Sequence, residues 1–117
     1  MHIENFRSFC LSLPATSESF PFYDDVLVFK VGSKIFALTN LSSDELSVNL
    51  KCEPDYALEL REEYSCIIPG FHMNKKHWNS VKPNQCLNRE LFYDLVRHSY
   101  DLVVKKLTKK ERTALNL

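Results

Sequence analysis

Hydrophobic and polar positions alternate with two different periods along this chain, and each change of period marks a change of element. Phe6, Phe9, Cys10 and Leu13 recur at helical spacing, which predicts a short amphipathic helix over residues 3–12 that stops before Pro14. Phe20, Pro21, Phe22 and Tyr23 then lead into Val26-Leu27-Val28-Phe29-Lys30-Val31, a β-branched and aromatic run. Gly32-Ser33 supplies a tight turn into Lys34-Ile35-Phe36-Ala37-Leu38-Thr39, so the two runs read as a hairpin. Leu46, Val48 and Leu50 alternate with Ser47, Asn49 and Lys51, the period-two mark of a third strand with one buried and one wet face.

Glu53-Pro54 places proline where a first helical turn tolerates it, and Ala57, Leu58, Leu60, Arg61 and Tyr64 continue a helix that ends near Tyr64. Ile67 and Ile68 precede the turn signal Pro69-Gly70, and Trp78 to Lys82 reads as a strand ended by Pro83-Asn84. Asn88 is the expected N-cap of a long helix with the stripe Leu91, Phe92, Leu95, Val96, Ser99, Leu102 and Val103, and with Asp101 and Lys105 paired one turn apart outside. Thr108-Lys109-Lys110-Glu111 fits a capping box that opens a last helical turn or two. The order helix, three strands, helix, strands, helices does not alternate βαβ. It predicts an α+β fold, one antiparallel sheet with helices packed on it.

A length of 117 residues fits a single domain over 1–117 that can bury its own core without staples. No cationic stretch leads into an apolar core at the N-terminus, and no run has the length of a membrane span, so a soluble cytoplasmic protein is expected. Cys10, Cys52, Cys66 and Cys86 form no Cys-x-x-Cys pair and read as buried free thiols. His72 and His77 are five residues apart, a poor geometry for a shared ion on either a strand or a helix, so no metal site is assigned and no cofactor is expected.

Formal charge is zero overall, but residues 15–63 carry minus six and residues 64–117 carry plus six. Between Glu63 and Glu90 there is no carboxylate, yet Lys75, Lys76, Lys82 and Arg89 are present, and Lys105, Lys106, Lys109, Lys110 and Arg112 cluster near the end. If the two groups share a face, that face attracts phosphate-bearing or acidic partners with a marked salt dependence. The C-terminal cations equally fit a solvated helix end, where they complement the macrodipole.

Several short strings, in order, carry a family resemblance. They are Leu11-Ser12-Leu13-Pro14 with Glu18-Ser19-Phe20-Pro21-Phe22, and Phe29-Lys30-Val31-Gly32 with Lys34-Ile35-Phe36-Ala37-Leu38. Asn49-Leu50-Lys51-Cys52, Leu60-Arg61-Glu62-Glu63-Tyr64, the block from Pro69 to Val81 and the pair Ser99-Tyr100 follow. Nearly end to end, the chain resembles the YjbR/MmcQ family of small bacterial proteins. The resemblance implies an α-β-β-β-α-β-β-α arrangement, similar to both frataxin-like and secretion-chaperone-like folds, with a double-wing mode of DNA binding. One departure follows Trp78, where a glycine-containing hairpin turn is expected and Lys82-Pro83-Asn84-Gln85-Cys86 stands instead.

On these residues the DNA expectation falls to Lys75, Lys76, His77, Lys82 and Arg89, on and near a loop-to-strand junction, and to Lys105 and Lys109 near the C-terminus. Trp78 joins them as a stacking surface if exposed, although a lone tryptophan beside Val81 more often packs under a helix. A sequence pI near 6.9 and the absence of a helix-turn-helix signature speak against a dedicated binder. The alternative is a chaperone-like protein- or peptide-binding module using Phe20, Phe22 and Tyr23, of which at least two are expected in the core. Asp55, Glu59 and Glu62 share one helix face, which suits weak cation binding or, more simply, solvent. No glycine-rich phosphate loop, nucleophile elbow or acid/base pair at diagnostic spacing is present, so no enzyme is expected.

Overall fold

The first apolar stripe folds as α1 (Ile3–Ser12), with Phe6 and Cys10 buried. A computed structural model describes the whole chain, Met1–Leu117. After α1 come β1 (Thr16–Ser19), β2 (Val26–Val31), β3 (Lys34–Asn40), β4 (Val48–Lys51), α2 (Pro54–Glu63), β5 (Ile67–Pro69), β6 (Trp78–Val81), α3 (Pro83–Cys86), α4 (Arg89–Lys106) and α5 (Lys109–Ala114). The six strands form one antiparallel sheet in the order β1-β2-β3-β4-β6-β5. No helix is long and apolar enough to cross a membrane.

Strand register sorts the side chains onto two faces, because residues directly opposite across a ladder point the same way. One row on the first face runs Glu18, Phe29, Ala37, Leu50, Asn79 and Pro69, and a second runs Leu27, Thr39, Val48, Val81 and Ile67. The helices cover this face. Glu18 meets Arg7 of α1, Asn79 meets Arg61 of α2, and Phe6 packs edge-on against Phe29 with ring centroids 5.4 Å apart. The other face carries a row of Ser19, Val28, Leu38, Asn49, Ser80 and Ile68, and no helix lies over it.

A bulge joins the long helix to the sheet. Phe29 pairs with Ala37 but Lys30 already pairs with Ile35, which leaves Phe36 as the extra residue of β3. The buried Ser99 hydroxyl of α4 fills the gap in the ladder, donating to the Phe36 carbonyl at 2.5 Å and accepting from the Lys51 N–H at 2.8 Å. This explains a serine within the apolar stripe. Next to it, the Tyr100 hydroxyl donates to the Pro14 carbonyl at 2.6 Å and ties α4 to the turn after α1.

The α+β class and the antiparallel sheet agree with the sequence pattern, while several local expectations change. The strand β1 was not foreseen, because Thr-Ser-Glu-Ser has no apolar alternation to announce it. Trp78 is half-buried on the face away from the helices, opposite Lys51, and does not pack under a helix. Phe20, Phe22 and Tyr23 are all exposed, so the core use expected for at least two of them does not occur. Cys66 and Cys86 form a disulfide with Cα atoms 6.0 Å apart, and only Cys10 and Cys52 remain as buried free thiols. That bridge fastens the one-turn helix α3 to the start of β5, where a glycine hairpin turn was expected. Asp101 and Lys105 form no ion pair.

Candidate nucleic-acid interface

The loop between β5 and β6, residues 70–77, projects from the sheet as a wing whose shape is set by short-range chemistry. Asn74 accepts from the backbone N–H groups of Lys76 at 2.9 Å and His77 at 3.3 Å, the self-bonding turn for which asparagine is favoured. At its base the Gly70 N–H donates to the Trp78 carbonyl at 2.8 Å, and a Cβ on Gly70 would lie 2.8 Å from the Trp78 Cβ. Only glycine allows that approach. Arg61 of α2 braces the wing from the helix side, donating to Asn79 Oδ1 at 2.7 Å and to the carbonyls of Lys75 and Trp78.

The wing hangs beside the end of β4. The Cys52 N–H donates to the His77 carbonyl at 2.8 Å, and Trp78 pairs with Lys51. Lys51 in turn stands near Lys34, at the start of β3, and Lys106, in the last turn of α4. Its proton affinity is held below that of an ordinary lysine by burial first, then by those two neighbouring cations. The segment α5 folds back onto this end as well, because the Glu111 carboxylate accepts from the Ser33 N–H at 2.9 Å and from its hydroxyl at 3.0 Å. Gly32 adopts the left-handed φ of 56° in that turn, where a Cβ would lie 2.8 Å from the Glu111 carboxylate.

Of the eight residues singled out from the sequence, Lys75, Lys76, His77 and Trp78 follow one another on the wing and the start of β6, Lys105 adjoins Lys106 at the end of α4, and Lys109 opens α5. Lys75 is partly engaged through a 3.1 Å hydrogen bond from its ammonium to the Gly70 carbonyl. Lys82 and Arg89 do not join them. Lys82 follows the far end of β6 and lies 3.7 Å from the Glu45 carboxylate. Arg89 opens α4, about 24 Å from Lys105 along the helix axis at 1.5 Å per residue.

Lys34 and Lys51 belong to the acidic half of the sequence and complete the cluster. Only the β4–β6 pairing, which joins residues distant in the chain, brings Lys51 beside the wing. The ion pairs of the molecule are Arg7 with Glu4 and Glu18, and Lys82 with Glu45. Hence Lys34, Lys51, Lys75, Lys76, Lys105, Lys106 and Lys109 all stand outside ion-pair range of any carboxylate. Asp55, Glu59 and Glu62 lie exposed along α2.

Among solved structures, a Deinococcus radiodurans protein, DR2400, superposes with a TM-score of 0.93 at 44% identity, covering 98% of this chain and 88% of that one. A Pseudomonas syringae protein superposes with a TM-score of 0.73 at 26% identity, covering 87% of this chain and 98% of its own. In sequence, the chain is 38% identical over 109 residues to YbdF of Escherichia coli O157:H7, covering 93% of this chain and 89% of that protein. It is 30% identical over 115 residues to YjbR of Escherichia coli K12, covering 98% of each. The YjbR family model matches residues 11–102, a span that takes in the sheet, the wing and most of α4, and so this chain belongs to the YjbR family.

Proposed function

We propose that this protein is a non-enzymatic binding module for nucleic acid and that its contact surface is the lysine-rich end of the sheet. The observation that carries the reading is that Lys51 of β4 stands near Lys34 of β3 and Lys106 of α4 and pairs with Trp78 at the base of the lysine-bearing wing, with no carboxylate in ion-pair range of these lysines. Unpaired cations on a surface hold no internal energy that a ligand must first break, and each phosphate they neutralise releases condensed counterions. The wing supports the same use, since Arg61, Asn74 and Gly70 fix its backbone before any ligand arrives. Phosphate contacts from such a surface position a nucleic acid without reading its sequence.

Fluorescence anisotropy of labelled DNA, titrated with protein at several salt concentrations, tests this. Lys51→Glu/Lys76→Glu is expected to weaken binding about tenfold or more and to flatten the salt dependence by roughly 0.7–0.9 in log–log slope for each lost phosphate contact. Lys82→Glu/Arg89→Glu, at the other end, is expected to leave affinity within about twofold, because those positions touch none of the same phosphates. Equal losses from both pairs, or binding insensitive to salt, would remove the lysine-rich end as the contact surface.

A further inference from the structure

The uncovered face of the sheet holds a cleft of about 660 Å³, within the range of small-molecule sites. Phe22 and Tyr23, on the loop before β2, form one wall, and Phe71 of the wing forms the other. Leu38, Asn49 and Ser80 line its floor, three consecutive members of one cross-strand row. Phe22, Tyr23 and Phe71 are 59%, 72% and 66% exposed, which a soluble domain rarely does with three neighbouring aromatics unless they meet something. Phe71 is also held in place. Its N–H donates to Ser80 Oγ at 2.8 Å, its carbonyl accepts from Asn49 Nδ2 at 3.4 Å, and Ser80 donates to Asn49 Oδ1.

Charge fixes which way a ligand enters. Lys51 follows Asn49, which lines the cleft, by two residues on the same face of β4, so the lysine-rich end begins about 7 Å beyond the cleft floor along the strand. At its other end stand Asp24, Asp25, Asp44 and Glu45, which repel a phosphate chain. A ligand that matches this asymmetry is anionic on one side and flat and aromatic on the other. A neutral peptide uses only half of it.

We propose that the cleft receives unpaired bases, stacked against Phe71 and Tyr23, while the phosphodiester lies along Lys51 and the wing, so that the preferred ligand is single-stranded. This rests on nucleic-acid binding at the lysine-rich end. Bases locked in a duplex present no free face to the aromatic walls, whereas stacking of free bases is tolerant of sequence.

The test compares a labelled oligo-dT of about 12 nucleotides with a duplex of the same length, following anisotropy and the emission of Trp78, the only tryptophan. Single strands are expected to bind more tightly and to change Trp78 emission. Phe71→Ala and Tyr23→Ala are each expected to weaken single-strand binding about 5- to 150-fold and leave duplex binding unchanged. Both side chains are exposed, and circular dichroism with a thermal melt verifies that each variant is folded. Equal affinity for the two DNA forms, with Phe71→Ala and Tyr23→Ala unchanged but Lys51→Glu/Lys76→Glu weakened, overturns the cleft and leaves nucleic-acid binding standing. No binding of either DNA, together with capture of an acidic aromatic peptide that is lost in Phe71→Ala, overturns both.

Discussion

At the scale of single residues, buried polar atoms carry more of the architecture than their number suggests. Ser99 is fully buried, and its hydroxyl links the Phe36 carbonyl to the Lys51 N–H across the bulge. Ser99→Ala removes no bulk but leaves a donor and an acceptor unpaired away from water, at a cost of roughly 2–3 kcal/mol. Urea unfolding should show the midpoint drop with an unchanged slope, and a loss of only a few tenths would mean that the bulge recloses without the hydroxyl. The buried thiols behave differently. Burial pushes the Cys52 thiol up to about 12, and Cys10 is raised further by the same cause, so both stay protonated and inert at neutral pH.

At the scale of elements, what was legible in the sequence was whatever announces itself by local period. The hairpin of β2 and β3, the proline in the first turn of α2, the Asn88 cap and the stripe of α4 stand where the pattern predicted them, whereas the side-chain cap supplied by Glu53 was not read from the sequence. Elements set by partners distant in the chain were not legible. The polar strand β1 exists because β2 offers it an edge, and its inward-pointing Glu18 is held by Arg7, which keeps that carboxyl below its usual range through the hydrogen-bonded pairing. Trp78 looked like a core residue because a lone tryptophan beside Val81 more often packs under a helix, but the two are three residues apart and so point to opposite faces of β6. The Cys66–Cys86 bridge spans 20 residues with no motif spacing, so only the folded chain brings its sulfurs together. Closing a loop of that length stabilises by about 3 kcal/mol in the chain-entropy account, so a thermal melt with reductant should fall below one without it. Cys66→Ser/Cys86→Ser should melt at the reduced temperature and lose its sensitivity to reductant. Identical melts with and without reductant would mean that α3 is held by packing alone.

At the scale of the whole molecule, a formal charge of zero hides a surface that is far from neutral. The linear division into acidic and basic halves does not survive folding, because Lys34 and Lys51 of the acidic half stand near Lys106 of the basic half, while Lys82 lies beside Glu45. Long-range attraction between a protein and a polyanion depends on net charge, whereas attraction within about 10 Å depends on the patch that faces it. The two can be separated on a heparin column at about pH 8, above the sequence pI near 6.9, where the molecule as a whole is anionic. If the lysine-rich end governs binding, the protein is retained there despite its net charge and elutes with salt. Lys34→Glu/Lys51→Glu/Lys106→Glu then flows through. Moving the same three reversals to Lys82, Arg89 and Arg97 makes an identical change in net charge but leaves retention largely intact, since Lys82 lies beside Glu45, Arg89 opens α4, and Arg97 stands over the Phe9 ring of α1, 5.7 Å from its centroid. Equal loss of retention in the two triple variants would show that overall charge, and not its placement, controls the encounter.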